Sequence, residues 1–270
     1  MYVEFYGLAE RPFNITPDPR YLFFSHGHRE AWEHILFGIG ERKGFIQITG
    51  EVGAGKSTLC RAVLEELDEK YATALILNPM MTGIQLLRSI LRELGLPAGG
   101  NDRIRLLERL NTFLLESAEA ERDVVLFIDE AQDMSGTLLE EVRLLSNLET
   151  DDRKLLQIVL IGQPELRAKL DRPGLRQLRQ RITVRYHLAP LSRPETEAYI
   201  LHRLNVAGSN GRPAFTPWAL RSIHRYSGGV PRLINAVCDA TLLAGFADGS
   251  DVLSWHQVRR AIASLEGRER

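Results

Sequence analysis

Cysteine, long apolar runs and net charge are all scarce in this chain, and each shortage removes a class of protein. Only Cys60 and Cys238 occur among 270 residues, far apart and without C-x-x-C spacing. That sets aside a disulfide scaffold, argues against a cysteine metal site and suits a reducing compartment. No apolar run approaches the ~18 residues of a membrane-spanning helix, and Met1-Tyr2-Val3-Glu4-Phe5 has neither the basic start nor the apolar stretch of a secretory leader. The expected location is cytoplasmic, with no integral membrane segment. The 34 Lys+Arg against 35 Asp+Glu leave a net charge of -1, so no global field draws the chain to nucleic acid or anionic lipid. Local basic patches stay open. Neither an internal repeat nor a low-complexity tract is present.

What the chain does have is a globular balance, 44% hydrophobic and 26% charged, enough for one sizeable core and a smaller module. Residues 1–25 are dense in aromatics and prolines, from Phe5 and Tyr6 through Pro12, Phe13, Pro17 and Pro19 to Phe24, and read as an extended arm laid on the core. Ser25 to Ile39 has helical spacing. Short β-branched or apolar runs at 45–49, 73–78, 124–129, 157–162 and 182–188 read as strands. Helical patterns at 56–68, 83–94, 103–120, 136–148 and 164–170 separate most of them. This alternation predicts an α/β fold, a parallel five-stranded sheet between helical layers, with ligands at the strands' carboxyl ends. Beyond Leu188 only helices are expected, at 193–206, 217–227, 230–247 and 254–266. The domains are therefore read as 1–188, arm and α/β core, and 189–270, a helical module.

The most specific motif is Gly50-Glu51-Val52-Gly53-Ala54-Gly55-Lys56-Ser57, which fits G-x-x-x-x-G-K-[ST] between an expected strand and a helix opening at Thr58. Glycines there let the backbone close around a phosphate, and the helix N-terminus adds positive potential. Lys56 would reach the β- and γ-phosphates, and Ser57 would ligate Mg²⁺. The strand Val124 to Ile128 ends in Asp129 and Glu130. Asp129 would hold Mg²⁺ through water and Glu130 would polarise an attacking water.

Other residues are candidates with competing readings. Gln163 follows strand 157–162 and would sense the γ-phosphate, or is a turn residue before Pro164. Asn78 ends strand 73–78 and would hold Glu130 until released, or is a turn signal before Pro79. Leu175 to Arg185 contains Arg176, Arg179, Arg181 and Arg185. Arg181, with Arg179 in reserve, would deliver positive charge to a phosphoryl group on a neighbouring subunit. The alternative is a solvated basic helix or a nucleic-acid contact. Arg232 follows Gly229-Val230-Pro231 in a helix's first turn, where its charge opposes the helix dipole, so a phosphate across a cleft would explain it better than helix stability does.

Together these blocks resemble an AAA+ ATPase. Phe5-Tyr6-Gly7-Leu8, Arg11-Pro12-Phe13, Pro17-Asp18-Pro19-Arg20, the loop Gly50 to Lys56, Ile128 to Gln132, Leu144 to Glu149 and Gly162 to Leu166 are similar to the general secretion pathway protein A (ExeA-like) family over nearly the whole chain. The resemblance implies a P-loop three-layer core, a helical lid, and a ring-type homo-oligomer, a hexamer being one candidate size, with ATP and Mg²⁺ between subunits. It carries Lys56 and Ser57 to the Walker A roles, Asp129 and Glu130 to Walker B, Gln163 to sensor 1, Arg181 to the finger and Arg232 to sensor 2. It also implies a partner in envelope machinery serving secretion, pilus biogenesis or exopolysaccharide export, and peripheral attachment at the inner membrane through that partner. Longer members add a transmembrane helix and a peptidoglycan-binding domain, and this chain, ending at Arg270, is expected to be a short form without them, which puts direct cell-wall binding in doubt. Related ATPases regulate transposition on DNA, which keeps nucleic-acid binding open as an alternative, as does a nucleotide-gated adaptor with little turnover.

Overall fold

The computed structural model describes residues 1–14, 18–150 and 153–268, so Pro17 lies outside the described residues. Two units emerge, one of Gly27–Gly50 with Leu59–Leu188 and one of Met1–His26, Glu51–Thr58 and Ala189–Arg270.

The first unit is built on strands β1 (Phe45–Gly50), β2 (Tyr71–Ile76), β3 (Asp123–Ile128), β4 (Leu156–Gly162) and β5 (Ile182–Leu188). They form one sheet in the order β2-β3-β4-β1-β5, each pair parallel. Helices α2 (His26–Gly40), α3 (Lys56–Glu66), α4 (Gly83–Glu93), α5 (Arg103–Glu119), α6 (Gly136–Leu145), α7 (Pro164–Leu170) and α8 (Arg176–Arg181) connect them, following α1 (Tyr2–Tyr6) of the other unit. Central strands covered on both faces must be apolar throughout, and β1 and β4 are buried along their whole length. The edge strand β5 alternates instead, with Thr183, Arg185 and His187 exposed.

β2 starts and ends two residues earlier than its apolar pattern suggests. Pairing with β3 sets its limits, from Tyr71 opposite Asp123 to Ile76 opposite Ile128, and leaves Leu77 and Asn78 exposed beyond the strand. Hydrogen-bond register overrides the apolar run here.

In the second unit, α9 (Arg193–Val206), α10 (Pro217–Ser227), α11 (Pro231–Ala247) and α12 (Trp255–Leu265) pack around Ile200, Leu204, Ile223, Ile234, Val237, Cys238, Leu242 and Val258. Ser192 with Glu195, and Ser254 with Gln257, form capping boxes that fix where α9 and α12 start. The two-residue strands β6 (Ala214–Phe215) and β7 (Val252–Leu253) pair in parallel. They correct the all-helical expectation for this region, and are too short to leave a periodic pattern.

The N-terminal segment also differs from the extended arm expected of it. Among the described residues it contains α1 and a 3₁₀ turn, Pro19–Tyr21, and Tyr2, Tyr6 and Phe13, with Phe5 and Phe23 against them, belong to the helical module's core. The Tyr2 hydroxyl donates to Asp239 Oδ1 at 2.5 Å, and that of Tyr6 to the Leu242 and Ser250 carbonyls at 3.2 Å. Burial, aided by Asp251 and Asp248, pushes the Tyr6 hydroxyl up to about 12. Arg203 of α9 is buried; its Nε donates to Pro12 O at 2.5 Å, its Nη2 to Asn14 O at 3.2 Å and its Nη1 to the Tyr199 hydroxyl at 2.9 Å. The guanidinium also lies 4.5 Å from the centre of the Tyr21 ring. Because its removal takes the donor from the buried Pro12 carbonyl and the buried Tyr199 hydroxyl, Arg203→Met is expected to lower the unfolding free energy by ~2–4 kcal/mol. Urea denaturation checks this, and a loss under ~0.5 kcal/mol, the size of an ordinary surface change, would refute it.

Candidate functional site

The end of β1 runs into the glycine-rich turn, and α3 begins at Lys56. Gly53 and Gly55 adopt φ of 79° and 99°, conformations that L side chains rarely tolerate, so the motif's glycines answer a backbone requirement. Lys56 is buried, with Nζ donating to Glu51 O at 2.9 Å within the same loop. Gly53 meets a second demand: its carbonyl accepts from Arg232 N at 3.2 Å, and a Cβ at position 53 would overlap that of Arg232. The first turn of α11 therefore lies directly on the loop, while Arg232 itself is exposed.

Asp129 and Glu130 stand at the carboxyl end of β3, beside that of β4, as parallel pairing dictates. Asp129 is buried, its N–H donating to Ile76 O at 2.8 Å and its Oδ1 accepting from Glu130 N at 2.9 Å. Glu130 has φ of 51°, the left-handed region, costing a non-glycine residue ~1–2 kcal/mol. Its Oε2 accepts from Gln132 Nε2 at 2.6 Å and from Gln163 Nε2 at 3.2 Å. Gln132 Oε1 in turn accepts from Gln163 N at 2.9 Å. Lys169 Nζ bonds the main-chain carbonyls of Gln132 and Met134, fastening the turn after β3 to α7. Nearby Cys60 is buried; burial first, and the Asp129 charge second, raise its thiol well above the ordinary range, so it is an inert core residue.

The structure thus joins Glu130 to Gln163, and the loop to Arg232, but separates two other candidates from Glu130. Asn78 lies past the end of β2, where its Oδ1 accepts from Met80 N at 3.2 Å. The partners of Glu130 are Gln132 and Gln163 instead, so in this structure Asn78 caps a turn. Arg181, half-buried, donates from Nη1 to Ser146 Oγ at 2.8 Å. It precedes Ile182, which pairs with Phe45 at the start of β1, so it lies at the amino-terminal edge of the sheet, a strand's length from Asp129 and Glu130. Arg179 pairs with Asp171 at 3.2 Å. Gln132 went unmarked in the sequence because a glutamine two residues past an acidic strand end has no spacing signature; the available signal was only its place in the block Ile128 to Gln132.

Residues 39–170 match the family model of the AAA domain. With the parallel order β2-β3-β4-β1-β5 and the helices that follow, this defines the AAA+ fold class. Solved structures share the fold. The Aeropyrum pernix ORC2 protein, in its ADPNP-ADP complexes, superposes with a TM-score of 0.69 at 18% identity, covering 94% of this chain and 71% of that one. Cdc6p from Pyrobaculum aerophilum gives 0.71 at 17%, covering 94% and 70%. The RuvB Holliday junction branch migration motor of Thermotoga maritima gives 0.59 at 17%, covering 88% and 70%. Within this class, General secretion pathway protein A of Aeromonas hydrophila is 47% identical over 268 residues. The chain belongs to the general secretion pathway protein A family, and spans about half that relative's length, 99% of its own against 49% of the other's. No helix among the described residues is long and apolar enough to cross a membrane.

Gly53→Ala combines a left-handed φ with an overlap against Arg232, so the expected loss is ~1–3 kcal/mol, or roughly 3–8 °C in the thermal midpoint. Adding Arg232→Gly to Gly53→Ala should restore part of that loss in differential scanning fluorimetry. Purely additive losses would show that the α11 contact is not what the glycine serves.

Proposed function

We propose that this protein hydrolyses ATP to ADP and phosphate, with Mg²⁺, and uses the cycle to assemble or remodel a bacterial envelope apparatus. One observation carries the hydrolytic reading: Glu130, beside buried Asp129, is held by two amide donors with its other oxygen, Oε1, making no hydrogen bond among the described residues. A loop built only to bind nucleotide has no need of that arrangement. In this reading the N–H groups of Gly50 to Thr58 take the phosphates and Lys56 the β- and γ-oxygens. The Ser57 hydroxyl and, through water, the Asp129 carboxylate are hard oxygen donors of the kind Mg²⁺ prefers. That ion would draw charge from the phosphate oxygens. Glu130 accepts a proton from water as its oxygen attacks the γ-phosphorus in line and the bond to the β-phosphate oxygen breaks. Gln163 reads the γ-phosphate, and Arg232 brings the helical module's response to nucleotide.

Arg181 acts on a neighbouring copy. Its place at the amino-terminal edge of the sheet, a strand's length from its own Asp129 and Glu130, supports action in trans and hence a ring-type homo-oligomer. The relative's name supports a client in secretion machinery; in this reading the protein is cytoplasmic and meets the inner membrane peripherally, through that client. Nucleic-acid binding has one observation in its favour: Arg167, Arg179, Arg185 and His187 line a cavity of about 260 Å³ beside β5. The net charge of -1 weighs against it, and duplex binding that falls steeply with salt would be its signature.

Lys56→Ala should abolish nucleotide turnover, and an unaltered rate would sink the assignment. Glu130→Gln should keep ATP affinity while losing ~10²–10⁴-fold in rate. Mixing Arg181→Ala with Glu130→Gln chains should restore hydrolysis at mixed interfaces, measured as phosphate release across mixing ratios. Restoration at no ratio would refute a shared site.

A further inference from the structure

We propose that Gln132 is the positioning residue of the hydrolytic site, one side-chain amide that sets the Glu130 carboxylate and the end of β4 in a fixed relation. The proposal rests on the ATP-hydrolysis reading above. Its basis is that the amide has only one workable orientation. Nε2 donates to Glu130 Oε2 at 2.6 Å while Oε1 accepts from Gln163 N at 2.9 Å. Turning the amide over would set oxygen against carboxylate and NH₂ against N–H, two repulsions in place of two bonds. Gln132 is buried, at 9% exposure, so water is poorly placed to substitute for either partner.

The backbone is shaped to bring this amide back under Glu130. The left-handed φ of 51° at Glu130 turns the chain sharply into the 3₁₀ turn Ala131–Asp133, closed by Asp133 N donating to Glu130 O at 2.9 Å. Lys169 then fixes the Gln132 carbonyl from α7. Space for the side chain exists because residue 162 is glycine: a Cβ there would lie 2.8 Å from Gln132 Oε1 and 2.9 Å from Leu166 Cδ2. Strain at one residue, an absent side chain at another and a lysine from a third element all converge on this one amide. Such over-determination is what holds a sparsely populated backbone conformation in place.

The chemical consequence is a division of labour between the two carboxylate oxygens. Oε2 is occupied by the Gln132 and Gln163 amides, which fix the plane of the group, and Oε1 is left to take the proton from water. Because the same Gln132 amide holds the Gln163 main chain, the residue proposed to read the γ-phosphate cannot shift without moving the base. A misplacement of ~1 Å at such a site costs on the order of 10²-fold in rate. Gln132 touches neither water nor phosphate in this scheme. Its effect passes through Glu130.

The test uses the full chain, steady-state ATP hydrolysis, and binding of a fluorescent ATP analogue. Gln132→Ala should lower kcat by ~10–100-fold while the analogue's Kd stays within about twofold. Gln132→Glu, the same size and so expected to fold as the wild type does, replaces the amide donor to Glu130 with a carboxylate oxygen and should lower kcat at least as far, again with Kd little changed. In a Glu130→Gln background, Gln132→Ala should add almost nothing, since the group it positions is already disabled. A kcat within threefold of wild type in Gln132→Ala or in Gln132→Glu, or a fully additive loss in the double variant, would each overturn the proposal. Wild type that binds the analogue yet turns over no faster than Lys56→Ala would overturn the hydrolytic reading, and this proposal with it. Wild-type hydrolysis with unaltered Gln132 variants overturns this one alone.

Discussion

Parallel pairing is the constraint on which everything else rests. When five strands run the same way, all their carboxyl ends reach one edge, and whatever follows each strand is delivered there without further design. Asp129 and Glu130 follow β3 and Gln163 follows β4, their neighbour in the sheet, so their meeting is a consequence of register. β1 lies beside β4 and opens into the glycine turn. The same rule places Arg181, which precedes a strand, at the opposite edge. A residue's position before or after its strand decides which edge it can serve.

Much of this was legible in the sequence because the constraint has a sequence signature. Strands buried on both faces leave continuous apolar runs, and the glycines at 53 and 55 leave a motif because their φ values exclude other residues. What escaped notice was set by partners distant in the chain. The ends of β2 answer to β3, and the β6–β7 pair is joined only through the fold. Asn78 and Gln132 are the sharpest contrast. Both are amides close after a strand, but pairing register carries Asn78 past the sheet edge, and the left-handed turn at Glu130 carries Gln132 back beneath it. Nothing in the spacing of either residue announces that difference.

The similarity to ORC2, Cdc6p and RuvB at 17–18% identity shows how little sequence the architecture needs. Those proteins share a fold, and a fold leaves the task undefined. The 47% identity to General secretion pathway protein A is a closer relation, extending across 99% of the chain and so through both units. Specialisation toward a client would have to reside on surfaces of these units or in the remaining half of such proteins.

The seating of Tyr2, Tyr6 and Phe13 in the helical module's core has a consequence for how the protein comes into being. This module is discontinuous: its N-terminal segment is synthesised ahead of the sheet, and the helices that receive it, α9 to α12, are made only after the whole of the sheet. Until then a cluster of aromatic side chains has no counterpart to pack against. The sheet, whose strands are all present by Leu188, can form in the meantime, whereas the module has to close late around a segment synthesised before the sheet. Nascent chains halted before Ala189 would therefore carry an aromatic-rich, unsatisfied segment ahead of the sheet, the kind of surface that chaperones bind.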